Sequence, residues 1–257
     1  MKILLKKIIK AITPYGLLWY RENKELQRYR VRNIVLTILG DHPVNFHGQS
    51  GEDILLRLFM DKGAGYRGFY VDIGAFHPVN LSNTNYFYGN GWNGMNIDAN
   101  PSAIKEFNRL RTRDINIESG VSDEHGELEY YYFGDESSIN SFSRKQAEEF
   151  VSKFGTPIRK IMKIKVLPIN DILHDNLPAG QHIDFITLDV EGFEMRILKS
   201  LDFEKYSPDY FLVEDLDFAG KGFMEFKSSP LNSFLNEKGY TAVGKTNLTI
   251  LFKKREK

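Results

Sequence analysis

Gly68-Phe69-Tyr70-Val71-Asp72-Ile73-Gly74-Ala75 reads as a buried strand running into a tight glycine turn. Further along, Asn96-Ile97-Asp98-Ala99-Asn100 reads as a second buried strand ending in a carboxylate. In an open α/β sheet, strand ends at a topological switch point form the ligand crevice. An acid about 20 residues past a glycine turn is the signature of a nucleoside reader, which predicts that Asp98 accepts from both hydroxyls of a ribose. The turn lacks a G-x-G-x-x-G cradle, because Gly74 is followed by Ala75, Phe76, His77 and Pro78. Without a run of glycines the backbone cannot close on a pyrophosphate. That disfavours a nicotinamide-dependent oxidoreductase and favours a nucleoside without phosphates, of which S-adenosylmethionine is the commonest.

Outward from this pair, strands and helices alternate. Ile54–Met60 is predicted helical, then Phe69–Ile73 a strand, Ser82–Tyr88 a short helix, Met95–Ile97 a strand and Pro101–Leu110 a helix. Ile115–Val121 reads as one strand, and Glu127–Phe133 as a half-exposed one. Ser137–Phe142 is a loop before a polar helix over 144–154. Met162–Leu167, Ile183–Leu188 and Tyr210–Val213 read as strands, with helices over 169–173 and 193–201 between them. Thr241–Val243 and Leu248–Phe252 form a closing hairpin around Gly244–Asn247. The pattern predicts an α/β fold, a mostly parallel sheet with helices on both faces and a C-terminal antiparallel hairpin. Two parts are expected: a basic, helical N-terminal extension over 1–45, and one domain over 46–257.

Composition narrows the function. The 257 residues carry 34 Lys+Arg against 34 Asp+Glu, so no net field steers nucleic acid to the surface. The chain has no cysteine, which removes disulfides, thiolate metal sites and cysteine nucleophiles. A reducing cytoplasm is compatible with this. No stretch approaches the ~20 apolar residues of a membrane span. Residues 1–12, with Lys2, Lys6, Lys7 and Lys10, form a basic amphipathic start. It would either pack on protein or touch the inner face of an anionic membrane peripherally. Oligomeric state is left open.

Four predicted parallel strands end in acid, at Asp72, Asp98, Asp189 and Glu214-Asp215, while their interiors are apolar. Charge therefore gathers at the edge where such sheets bind ligands. With these segments, Gln49–Leu56, Tyr70–Pro78, Ser82–Asn85, Gly91–Pro101, Leu188–Glu194 and Leu212–Asp215 together, the chain resembles the FkbM family of methyltransferases. The resemblance covers about residues 49–215. It implies the class I, Rossmann-like sheet of seven strands, S-adenosylmethionine as cofactor, and methyl transfer to an oxygen of a saccharide or a glycan-like small molecule.

Carried over position by position, the resemblance places Asp72, Gly74 and Ala75 at the methionine end of the cofactor and Asp98, with Ala99, at the ribose. Ser122 and Asp123 would flank the adenine, and Asp189 would lie nearest the methyl group. A sugar hydroxyl is a poor nucleophile near neutral pH and needs a general base or a metal. Asp189, Glu191 and His77 are the candidate bases. Asp189 with Glu214 or Asp215 is the candidate oxygen site for Mg²⁺ or Mn²⁺. His42, His47, His125, His174 and His182 show no ligand spacing. The competing class is a catalytically silent module of the same fold that binds a nucleoside or glycan.

Overall fold

The computed structural model describes residues 46–60, 62, 63, 65–135 and 137–256. The expected N-terminal extension, and the membrane contact considered for residues 1–12, fall outside the described residues. Among these, no helix is long and apolar enough to cross a membrane.

The elements are α1 (Glu52–Phe59), β1 (Phe69–Ile73), α2 (Asn85–Gly89), β2 (Asn93–Asp98), α3 (Pro101–Leu110), β3 (Ile115–Glu118), β4 (Gly120–Ser122) and β5 (Gly126–Tyr132). There follow α4 (Arg144–Phe154), β6 (Lys160–Pro168), α5 (Ile169–Asn176), β7 (Phe185–Leu188), α6 (Glu194–Ser200) and β8 (Tyr210–Glu214). The chain closes with α7 (Phe223–Phe226), α8 (Pro230–Glu237), β9 (Tyr240–Lys245) and β10 (Thr249–Lys254). The main sheet has seven strands in the order β3-β2-β1-β7-β8-β10-β9. Its first five strands are parallel, and β10 runs antiparallel to both β8 and β9. The chain walks outward from β1 to β3 and returns beside β1 as β7, so the switch point lies between β1 and β7.

Side-chain alternation sorts the core into two layers. Phe69, Val71, Ile73, Ile186, Leu188, Phe211 and Val213 pack with Ile197 and Leu198 of α6 and with Leu231 and Leu235 of α8. Tyr70, Phe185, Leu212 and Leu251 face the other way, against Leu56, Met60 and Phe87. Each large apolar side chain so buried contributes about 1.5–3 kcal/mol.

Three expectations change. The single strand over Ile115–Val121 is two: β3 stays in the main sheet, and beyond Ser119 the chain crosses into a second, three-stranded sheet of order β4-β6-β5. The hinge is fixed by the Ser119 amide donating to the Asp98 carbonyl at 3.0 Å. The helix expected from Ser82 begins only at Asn85. Its would-be capping hydroxyl is spent elsewhere, since Thr84 Oγ1 donates to the buried Asp72 carboxylate at 2.9 Å. Between Glu214 and Tyr240, α7 and α8 fill a span with no assigned element. Ser229-Pro230 marks the start of α8, with Ser229 Oγ accepting from the Asn232 amide at 2.9 Å.

Arg111, 1 % exposed, fastens the segment after β1 to the edge of the sheet. Its Nε donates to the Pro78 carbonyl at 3.0 Å, Nη1 to Tyr70 Oη at 2.9 Å and Nη2 to Ser82 Oγ at 3.1 Å. Its charge faces Asp114, whose Oδ2 lies 3.6 Å from Nη1 and accepts from Tyr70 Oη at 2.6 Å. Removing one partner of a buried pair leaves the other charge uncompensated. Arg111→Met should therefore cost roughly 3–5 kcal/mol in urea denaturation. A loss within about 0.5 kcal/mol, the usual range for surface substitutions, would mean that the clamp is not structural.

Candidate active site

A cavity of about 560 Å³ opens along the carboxyl edge of β1, β2, β7 and β8. Gly74 makes its floor. It has φ 79°, and a Cβ there would stand 1.7 Å from the Asp189 carbonyl oxygen. Only glycine combines that dihedral with that approach. The amides of Gly74 and Ala75 donate to the Ile97 carbonyl at 2.9 and 3.1 Å, which ties the turn to the end of β2. Asp98 sits at that end, partly exposed, accepting from the Phe76 amide at 2.8 Å and the Asn100 amide at 2.7 Å. A carboxylate has about four lone-pair sites, so Asp98 is held in place and retains acceptor capacity toward the cavity. Ala99 lines the wall beside it.

The cavity is acidic. Asp72, Asp98, Asp189, Glu191, Glu214 and Glu52 all line it. Burial pushes Asp72 up to about 7, against the opposing Thr84 hydrogen bond. Burial also lifts Asp189 to about 6 and, with the charge of Asp189, Glu191 to about 9. Glu214, the most strongly raised, is buried beside Asp189, and its Oε2 has no hydrogen-bond partner. Like charges at this range cannot all ionise, so Asp189 carries the charge and Glu214 the proton. Asn83 also lines the cavity; its amide nitrogen donates to Thr187 Oγ1 at 3.2 Å, and its Oδ1 is buried with no hydrogen-bond partner.

Local strain gathers here too. Phe76, Leu81 and Glu191 have φ 52°, 53° and 53°. All three line the cavity. Such residues persist only where their surroundings over-determine them. For Glu191 the cause is visible. Glu194 folds back so that Oε1 accepts from the Val190 amide at 3.0 Å and Oε2 from Gly192 at 3.0 Å, curling the loop after β7. Ser141 Oγ adds a bond to the Glu191 carbonyl at 3.2 Å.

The structure brings Asp72, Gly74, Ala75, Asp98, Ala99, Asp189, Glu191 and Glu214 to one cavity. The other expected site residues lie elsewhere. His77 is not on the cavity wall. Its Nδ1 accepts from the Val79 and Asn80 amides, each at 3.0 Å, which makes it a turn histidine. Ser122 and Asp123 are drawn off the wall by the step into the second sheet. Ser122 Oγ donates to Asp123 at 3.0 Å, and Asp123 pairs with Arg196. Ser119, Gly120 and Val121 stand on the wall in their place. Asp215 is also off it. Glu194 replaces Asp215 in the acid cluster, where Asp189, Glu194 and Glu214 offer oxygens within 4.8 Å of one another. Glu194's oxygens are already engaged by loop amides, so it shapes the site more than it opens to it. Sequence reasoning left Glu52, Glu194, Tyr130 and α4 without a role. The spacing Glu191-x-x-Glu194 was the available signal for a self-capping loop.

Residues 72–242 match the family model described as the methyltransferase FkbM domain. No curated protein matches the chain. Among solved structures, it is similar to a methyltransferase FkbM from Methylobacillus flagellatus at 14% identity and a TM-score of 0.42, over 76% of this chain and 46% of that one. The chain thus spans under half the length of that relative. It is similar to the Burkholderia thailandensis 1,6-didemethyltoxoflavin-N1-methyltransferase, solved with 1,6-didemethyltoxoflavin and S-adenosylhomocysteine, at 12% identity and TM-score 0.38, over 95% and 91% of the two chains. It is also similar to the N-terminal domain of human METTL16 at 13% identity and TM-score 0.39, over 80% and 67%. All three likenesses are remote.

The raised acids set the direction of pH dependence. Asp72, Asp189, Glu191, Glu194 and Glu214 hold protons in the fold above the pH at which the unfolded chain releases them. The native state then binds more protons than the unfolded one from about pH 4 upward, and stability falls as pH rises toward the Glu191 value of about 9. The melting temperature of the ligand-free protein should drop by about 5–10 °C between about pH 5.5 and 8.5. The double variant Glu191→Gln, Glu214→Gln should flatten that slope. A profile that rises with pH would show the acids ionised in the fold.

Proposed function

The chain belongs to the FkbM methyltransferase family, and from that premise we propose that it moves the methyl group of S-adenosylmethionine onto a hydroxyl of a saccharide or sugar nucleotide. The observation that carries this is the acid-lined cavity at the β1/β7 switch point, where Asp72, Asp98, Asp189 and Glu191 converge. Such a site is completed by a cationic ligand. S-adenosylmethionine supplies, when bound, an ammonium group and a methyl group on a positive sulfonium.

The residues present fit it. Asp98, held by two backbone amides, would take the ribose hydroxyls. Ser119–Val121 would flank the base. Asp72 and Asn83 would meet the ammonium, over the flat floor that Gly74 provides. Asp189 emerges beside that floor. With its proton affinity lifted to about 6, it is ionised near neutral pH and basic enough to take the proton of an acceptor hydroxyl. Glu214, protonated, donates to Asp189 and aims it. Glu191, held in its strained turn, would serve as the alternative base only toward about pH 9, where it ionises. Fixed alignment of the hydroxyl against the donor supplies much of the acceleration in such a displacement.

A second reading has one observation behind it. The Asp189, Glu194 and Glu214 oxygens are close enough to share an ion, and a Mg²⁺ or Mn²⁺ held by Asp189 and Glu214 would lower the pKa of the acceptor hydroxyl.

Three measurements test this. Asp98→Ala should weaken S-adenosylhomocysteine binding in calorimetry by about 30- to 150-fold, from about 2–3 kcal/mol of lost charge-assisted bonds. Unchanged affinity would place the nucleoside elsewhere. Asp189→Asn keeps shape and removes the base. Turnover on a panel of saccharides and sugar nucleotides should fall at least about a hundredfold while S-adenosylhomocysteine affinity changes far less. Activity lost in EDTA and restored by Mg²⁺ or Mn²⁺ would favour the ion, and full activity in EDTA the carboxylate alone. Cofactor binding without turnover on any acceptor would be the behaviour of a silent binding module.

A further inference from the structure

The outer wall of the cavity is one face of α4. Lys145, Glu149 and Lys153 form one ridge at i, i+4 and i+8, and Gln146, Phe150 and Phe154 form the neighbouring ridge. Eight helical steps, from Lys145 to Lys153, give this face a length of about 12 Å. Its start is anchored beside the reacting groups. The single hydroxyl hydrogen of Ser141 is shared between two acceptors, Gln146 Oε1 at 3.3 Å and the Glu191 carbonyl at 3.2 Å. The face therefore begins at the catalytic loop and runs outward.

The apolar ridge is left open to solvent at its far end. Phe154 is 55 % exposed, with its ring centroid 6.0 Å from that of Phe150 at an interplanar angle of 30°. Globular chains bury phenylalanine where they can. A shallow pair of rings at a cavity mouth is suited to the apolar face of a sugar ring. The polar ridge carries the only two cations among the described residues lining the cavity. Lys145 has Glu149 at 3.9 Å. Lys153 has no carboxylate partner among the described residues, and its Nζ lies 5.2 Å from the Phe154 ring centroid. On this ridge Glu149 offsets Lys145, which leaves Lys153 as the net cation of the rim opposite the acids of the floor.

Resting on the methyltransferase reading above, we infer that α4 is an acceptor subsite for an anionic saccharide. A sugar ring lies on Phe154 and Phe150, and a phosphate or carboxylate of the acceptor meets Lys153. The acid floor repels that anion and the rim attracts it, so the acceptor enters with its charged end outward and a hydroxyl toward Asp189. The segregation orients the substrate as well as retaining it.

The test uses the full chain loaded with S-adenosylhomocysteine and three probes: glucose 1-phosphate, a digalacturonate and neutral cellobiose. At low salt at least one charged probe should bind about three- to tenfold more tightly than cellobiose, and raised salt should erase the difference. The phosphate and carboxylate arms tell which anion is read. Lys153→Gln should reduce the charged probe to the level of cellobiose, and Phe154→Ala should weaken charged and neutral probes alike. Both variants should keep the S-adenosylhomocysteine affinity and the melting temperature of the parent. An unchanged charged-to-neutral ratio in Lys153→Gln, or no charged probe binding in the millimolar range, overturns the subsite. Failure to bind S-adenosylhomocysteine at all would instead overturn the methyltransferase reading.

Discussion

Everything at the carboxyl edge depends on the contact between Gly74 and the Asp189 carbonyl. The two strands that meet at the switch point, β1 and β7, leave the sheet side by side, and their loops must diverge to open a crevice. They diverge from a point where no side chain fits. From there the first loop bends toward Ile97 and Asp98 and the second curls over Glu194. A methyl group at position 74 would separate the two loop origins and, with them, Asp98 from Asp189. The constraint is steric, so it holds at any pH or salt concentration.

Upon that fixed geometry the fold places an electrostatic burden. Several carboxyls share one cavity, and burial makes most of them weaker acids than they would be in water. The apolar layers on both faces of the sheet hold the strands that carry these acids. The site is thus a local conflict tolerated because the surrounding core is extensive, a common relation between binding sites and the scaffolds that carry them.

The sequence made the scaffold legible for a simple reason. Runs such as Phe69–Val71 and Tyr210–Val213 are apolar, and an acid follows each at its carboxyl end. That pattern identifies parallel strands buried on both faces and marks the ligand edge in the same stroke. Asp72, Asp98, Asp189 and Glu214 were readable on that logic, and Glu191 by proximity. What was hidden had non-local causes. His77 looks poised beside the glycine turn, but two amides downstream claim its nitrogen. Ser122 and Asp123 follow what reads as one strand, and a single backbone bond at Ser119 sends them into another sheet. The helix expected from Ser82 starts three residues later, because Thr84 before it serves Asp72 across the interior. The role of α4 was equally invisible, since a polar helix gives no hint that one face borders a cavity.

The Arg111 clamp has a consequence for how a ligand is met. The segment from Phe76 to Ser82, which borders the cavity on its inner side, is tied from behind at Pro78 and Ser82 by a guanidinium that water does not reach. Its shape is settled when the chain folds. A loop that had to order itself around the cofactor would lose conformational freedom in each encounter, with about 0.5–1.5 kcal/mol surrendered for every long side chain immobilised. Here that ordering is complete beforehand. The clamp preorganises one wall of the pocket, so the affinity for a ligand goes into contact and little of it into shaping the protein.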